Sequence, residues 1–303
     1  MLSANKNKLF LLSCRVMLLI LAFAGLAWAG EKSVCTLLSR EIAPFVSMVE
    51  GLESRLKVPA QRFFLDANGR PYNLGGGEAN LNPLKFDVLV AVGPEALQYL
   101  HAEAAERPIV YGMVLNPDKV LGHSLILPCG VSLNIPSESQ FSSIIRYIPA
   151  LKRLGVLFDP ENNQTWFNNA LEPADALGFE LVPLQVKRQA GRLEMVGDFA
   201  GLDAILFIPD KSIISKAVIQ YVIKQGFLHK TPVIGYNQFF YDSGAALSFL
   251  IDYRKVGEQV ARQVELILAG EKCEGAVAPH FEAVVNEEVW RALKRQETGA
   301  RIQ

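Results

Sequence analysis

Cysteine and histidine are scarce: there are four of each in 303 residues. No CxxC pair and no HExxH spacing occurs, and His101, His123, His229 and His280 stand far apart in the chain. That pattern excludes the usual zinc geometries, so no metal site and no cofactor is expected. GxSxG, P-loop and GxGxxG signatures are missing too, and no His sits beside a candidate nucleophile, so the chain is not read as an enzyme. Neither sign of charge is in excess, with 30 Lys plus Arg against 31 Asp plus Glu, which offers nucleic acid no electrostatic footing. Beyond the N-terminus no apolar run reaches the length of a membrane span.

The one long apolar run lies at the start. Lys6, Lys8 and Arg15 precede it, and it closes on Ala27-Trp28-Ala29, the tripartite pattern of a secretory signal peptide over residues 1–29, cleaved near Ala29. Leu11-Leu12-Ser13-Cys14 faintly resembles a lipobox, but cleavage there would leave most of the apolar run attached. Removal of residues 1–29 leaves 274 residues with 27 basic and 31 acidic side chains, a formal charge of −4. A chain of that size holds two lobes, each with its own core, and is expected to be soluble and extracytoplasmic. Cys35, Cys129 and Cys273 remain; they allow one disulfide in an oxidising compartment and fit three small buried thiols equally well.

From Ser33 onward short apolar runs alternate with amphipathic stretches, the grammar of parallel sheets flanked by helices. Strands are expected at 34–38, 62–66, 87–92 and 108–114 in the first half and at 153–159, 180–186, 203–209 and 231–237 in the second. Helices are expected at 44–56, 94–105, 163–177 and 212–226. An internal echo links the halves: "FDVLVAVGPEA" then "RPIVYG", and "LDAILFIPDKS" then "TPVIGY". Two crossings between lobes are read in "GVSLNIPSES", with Ser137 as N-cap, and in "ALSFLIDYRKVGEQVARQVELILAGEK", whose helix stops at Gly270. The tail "HFEAVVNEEVWRALKR" adds a strand and a helix. The expected fold is α/β: two Rossmann-like lobes joined by a multi-strand hinge. The lobes are 30–131 plus 252–276 and 132–251 plus 277–303.

In open parallel sheets ligands bind beyond the carboxyl ends of the strands, where helix N-termini present free N–H groups. "FDPENNQTW" places Asp159, Asn162, Asn163 and Gln164 at such an end, with Trp166 just behind. Asp159 and Asn162 fit helix caps as well as ligand contacts. Comparable ends occur at Ser39, at Gly93-Pro94-Glu95, at Asn116, at Asp210 and at Tyr236-Asn237.

The ordered stretches "FDVLVAVGPEALQYL", "RPIVYGMVLNP", "CGVSLN", "LGVLFDPENN", "LDAILFIPD", "PVIGYN" and "IDYRKVGEQVARQVELILAGE" resemble the substrate-binding proteins of ABC transporters with the type I periplasmic-binding-protein fold. The group that includes tryptophan- and tyrosine-binding members is the most similar. The resemblance implies capture of a small molecule, an amino acid or aromatic solute, by a monomer that delivers it to a permease and its ATPase. It implies contacts from Ser39, Gly93, Pro94, Glu95, Asn116, Ser132, Asp159, Asn162, Asn163, Gln164, Asp210, Tyr236, Asn237 and Asp252. An acidic end of the solute would meet helix N-termini with Asn, Gln and Ser groups, an ammonium would meet Asp159, Asp210 or Asp252, and Trp166 with Tyr236 would hold a flat apolar part. The chain departs from the family at Pro94, where a hydroxyl residue is common, and at Leu115-Asn116, where Thr-Asp is common. An alternative on the same fold is a sensor that docks on a membrane receptor kinase.

Overall fold

The computed structural model describes residues 32–75, 77, 79–122, 128–189 and 192–299. The expected signal peptide, Cys14 and His123 lie outside these residues. Fourteen strands occur among them: β1 (Val34–Leu38), β2 (Ala60–Leu65), β3 (Pro71–Tyr72), β4 (Val88–Val92), β5 (Ile109–Val114), β6 (Cys129–Ser132), β7 (Arg153–Phe158), β8 (Glu180–Gln189), β9 (Arg192–Val196), β10 (Ala204–Phe207), β11 (Val233–Gly235), β12 (Leu247–Ile251), β13 (Ala276–Val277) and β14 (Phe281–Val285).

They form two sheets, ordered β13-β6-β5-β4-β1-β2-β3 and β14-β12-β11-β10-β7-β8-β9. The orders superimpose strand for strand, so the echo in the sequence marks a structural repeat. All pairings in the first sheet are parallel except β2 with β3; in the second only β9 and β14 run antiparallel. The central strands β1, β4 and β5 are buried along their whole length because helices cover both faces, which is why they are continuous apolar runs. Two mixed α/β sheets flanked by helices make the type I periplasmic-binding-protein fold.

The chain changes sheet three times: after β6, after β12 and between β13 and β14. The second change sends the helix Tyr253–Leu268 back onto the first lobe, where Val256, Val260, Ala261 and Val264 join Met48, Val49 and Leu52 in one core. Two glycines permit this packing. A Cβ at Gly51 would overlap the backbone carbonyl of Arg254, and one at Gly257 would overlap that of Met48. The helix ends at Leu268 and Gly270 follows with φ 81°, the left-handed position expected of a stop glycine.

Local starts differ from the sequence expectations in three places. Pro136, not Ser137, is the N-cap of the helix Ser137–Tyr147: its own backbone is still extended (φ −56°, ψ 140°) while its carbonyl accepts from Gln140 N at 3.1 Å, so Ser137 is already helical. The helix Pro160–Ala176 begins three residues ahead of expectation, since Pro160 suits a first turn and Asp159 caps it. The helix Lys216–Leu228 begins later than 212; Ser215 caps it by accepting from Val218 N at 3.2 Å. A 3-10 turn, Pro83–Lys85, capped by the Asn82 side chain, lies just ahead of β4. Cys129 and Cys273 are disulfide-bonded, with Cα atoms 6.2 Å apart, and Cys35 is free and buried.

Candidate functional site

A cavity of about 250 Å³ lies between the lobes. Leu115 and Asn116 reach it from the end of β5 in the first lobe. Asn163 and Trp166 come from the helix after β7, Ile208 and Pro209 from the end of β10, and Tyr236 and Asn237 from the end of β11, all in the second lobe. The floor is made by the crossing segments: Leu133, Asn134 and Ile135 at the first change of sheet and Ile251 with Tyr253 at the second. A wider outer cavity, about 430 Å³, adds Lys119, Glu161, Asn162, Asp210 and Lys211.

Backbone geometry at the end of β5 brings Asn116 to this position. The β5–β6 register shifts between Tyr111 and Val114, and Met113 takes φ 60° within that bulge. Asn116 itself takes φ 50°, the left-handed conformation Asn tolerates. Such bulges re-aim side chains beside functional sites. Asn134 Nδ2 then donates to Asn116 Oδ1 at 2.7 Å and ties crossing to loop.

Asp210 organises the second-lobe wall. Its carboxylate accepts from Asp159 N at 2.8 Å, Asn163 Nδ2 at 2.7 Å, Asn162 Nδ2 at 3.1 Å and Ser212 N at 2.9 Å. Four donors occupy nearly all the lone pairs of a carboxylate, so Asp210 welds the β7 and β10 loops together. Trp166 packs against the second core and also faces the cavity. Burial, with a smaller contribution from the Asp210 charge, pushes the Tyr236 phenol up to about 12, and burial raises that of Tyr253, so both phenols stay neutral at ordinary pH. At the mouth of the cleft, away from the crossing segments, Lys119 Nζ of the first lobe donates to the Asn162 carbonyl of the second at 3.0 Å.

Residues 67–296 match the family model of the ABC transporter substrate binding protein. The chain belongs to that family. Three solved structures share the fold of this substrate-binding protein. A substrate-binding protein with adhesive properties from Clostridium difficile, in its ligand-free open structure, is 19% identical at a TM-score of 0.64, over 87% of this chain and 95% of that one. A conserved domain protein from Vibrio cholerae is 20% identical, TM-score 0.54, over 87% and 95%. An ABC domain from Streptococcus pneumonia in complex with L-Trp is 16% identical, TM-score 0.54, over 88% and 95%. A comparison with curated proteins gave no match.

Among the residues proposed from the sequence of this substrate-binding protein, Asn116, Asn163, Trp166, Tyr236 and Asn237 line the inner cavity, while Asn162 and Asp210 line the outer one. The others hold structure together. Ser39 is buried and its Oγ accepts from Ala96 N at 2.8 Å, in the first turn of the helix Pro94–Ala104, which has Gly93 at its N-cap and contains Pro94 and Glu95. Glu95 pairs with Arg40 at 2.6 Å; burial opposes its ionisation, but hydrogen bonds from Arg40, its own backbone and Ser39 prevail and lower its pKa. Ser132 Oγ accepts from Asn134 N at 3.0 Å, and Gln164 bonds Asn168. Asp159 and Asp252 are N-caps, accepting from Glu161 N at 3.0 Å and Lys255 N at 3.1 Å.

The sequence reading passed over the floor residues and Gln140. Gln140 is the one clue it offered: a polar residue on the stripe of the helix Ser137–Tyr147 that also carries Phe141 and Ile144, both fully buried.

Proposed function

We propose that the protein captures a small solute between its lobes and passes it to an ABC permease and ATPase, acting outside the cytoplasm as a monomer and catalysing no reaction. One observation carries this reading: a single cavity takes its walls from strand ends of both sheets and its floor from the segments that join them, so a guest contacts everything that must move when the lobes close. The Lys119 to Asn162 bond joins the two lobes across the opening, as a closed form requires. The points at which the chain changes sheet support lobes at 30–131 plus 252–276 and 132–251 plus 277–303. The Cys129–Cys273 bond suits an oxidising compartment, in keeping with export. Among the described residues no helix is long and apolar enough to cross a membrane, so delivery needs a separate membrane partner. The L-Trp bound to the Streptococcus protein of the same fold supports a start with aromatic solutes.

A thermal-shift screen of amino acids, aromatic solutes and sugars tests the proposal. A solute at 100 times its Kd adds about 2.7 kcal/mol of stability, which raises Tm by roughly 5–10 °C. A folded protein that responds to no solute, including those in a cell extract, overturns it.

A further inference from the structure

The inner cavity is free of formal charge. No Asp, Glu, Lys, Arg or His lines it among the described residues. The acidic groups around it are already committed: Asp159 and Asp252 to helix caps and Asp210 to four donors. The N-terminus of the helix Pro160–Ala176, the obvious place for a carboxylate, faces Asp159 and Asp210, and two negative charges there cancel the positive end of the helix. An ammonium or carboxylate carried into this space would lose its water without gaining a counter-charge, at several kcal/mol.

What the cavity does offer is unpartnered amide atoms and flat apolar surface. Gln140 is 3% exposed and its Oε1 has no hydrogen-bond partner, an unusual state for a buried acceptor. Asn237 uses its Oδ1 to cap the helix Gln238–Asp242 and Asn163 uses its Nδ2 on Asp210 and Pro209, so a donor on the first and an acceptor on the second have no partner among the described residues. Trp166, Tyr236 and Tyr253 supply ring faces. A dry cavity of about 150 Å³ holds benzene, and this one, at about 250 Å³, has room for a bicyclic body.

We propose that the cavity selects an uncharged, planar ring solute that hydrogen-bonds the side-chain amide of Gln140 and is held against Trp166, Tyr236 and Tyr253. The proposal rests on the solute-capture reading above and narrows it; free amino acids, which carry both charges, are disfavoured.

The test is isothermal titration of the purified protein with indole-3-acetamide, indole-3-acetate, tryptamine and L-tryptophan, which share a ring and an N–H and differ in charge. The neutral amide is expected to bind at least about tenfold tighter than any charged member, in line with an uncompensated buried charge. Tighter binding of L-tryptophan or another charged member overturns this proposal and leaves solute capture standing. If the series is silent, the formal charges on whichever solute a wider screen finds decide: a solute with none supports the proposal, an ionic or zwitterionic one overturns it, and no ligand at all overturns the solute-capture reading with it. Gln140→Leu is expected to weaken a neutral ligand about five- to tenfold, as loss of one buried hydrogen bond does. Gln140→Glu is expected to shift preference towards tryptamine. Unchanged affinity in both variants refutes the role given to Gln140.

Discussion

Asp203 holds in the second lobe the place that Asp87 holds in the first. Asp87 Oδ2 accepts from Ser33 N at 2.8 Å and Ser33 Oγ at 3.2 Å, just ahead of β1, while Asp203 Oδ2 accepts from Lys152 N at 2.7 Å and Arg153 N at 2.8 Å, where β7 starts. Each carboxylate, one residue before its own strand, fixes where the neighbouring central strand begins. Asp87→Ala and Asp203→Ala are each expected to destabilise by about 1–3 kcal/mol. Asp203→Ala should be the more severe, since it strands two backbone N–H groups, and the double variant should be additive within about 0.5 kcal/mol because the sites lie in different lobes. Denaturant melts of the three variants check this.

Removal of the Asp210 carboxylate, at a residue only 3% exposed, takes the acceptor from the Asp159 and Ser212 N–H groups and leaves Asn163 Nδ2 only Pro209 O and Asn162 Nδ2 only Ser212 Oγ and Asp159. Asp210→Ala is expected to destabilise by about 2–4 kcal/mol and to loosen the wall that presents Asn163. Asp210→Asn keeps the shape but turns an NH2 group towards other donors, so ligand affinity should fall at least about tenfold with a smaller change in Tm. Titration beside a thermal melt separates the two effects.

Lys119→Met deletes the bridge to the Asn162 carbonyl without touching the inner cavity. Because Lys119 is exposed, the loss should be modest, about two- to fivefold in Kd, through the closed state alone. Small-angle scattering of the ligand-saturated variant should show a larger open fraction than the parent.

Gly257→Ala drives a methyl group into the backbone at Met48. The helix Tyr253–Leu268 must then move away from the helix Ala43–Arg55, at about 1–3 kcal/mol. A fall in Tm of several degrees is expected, and Gly51→Ala should behave alike.

Burial pushes the Cys35 thiol from 9.0 to about 12, and the phenols of Tyr111 and Tyr236 from 10.0 to about 12. Each group therefore holds its proton more tightly folded than unfolded. Their contribution to stability is complete below pH 9 and is lost as pH climbs from 9 towards 12. Denaturation midpoints should be flat from pH 7 to 9 and fall above it, and the Cys35 thiol should resist alkylation at pH 8 until denaturant is added.

Strands buried on both faces were legible because nothing polar interrupts them: β1 is found at the residues where it was read, 34–38. β3 and β9 escaped notice because they are antiparallel edge pieces, one of them two residues long, with no apolar run of their own. The cavity walls were legible as polar loops at strand ends, as Asn116, Asn163 and Asn237 illustrate. The floor was not, since Leu133, Ile135 and Ile251 read as ordinary linker until the crossing segments are seen to meet. Asp159, Asp210 and Asp252 show a further limit: the same carboxylate at a strand end can face a guest or its own backbone, and only coordinates tell which.

The helix Tyr253–Leu268, which seals one face of the first sheet, is made only after six strands of the second sheet have been synthesised. Until then Val90, Val110 and Val131 lack the valines that cover them. A nascent chain thus carries an uncovered greasy panel until the late helix docks, and in that interval its early half is open to misassociation.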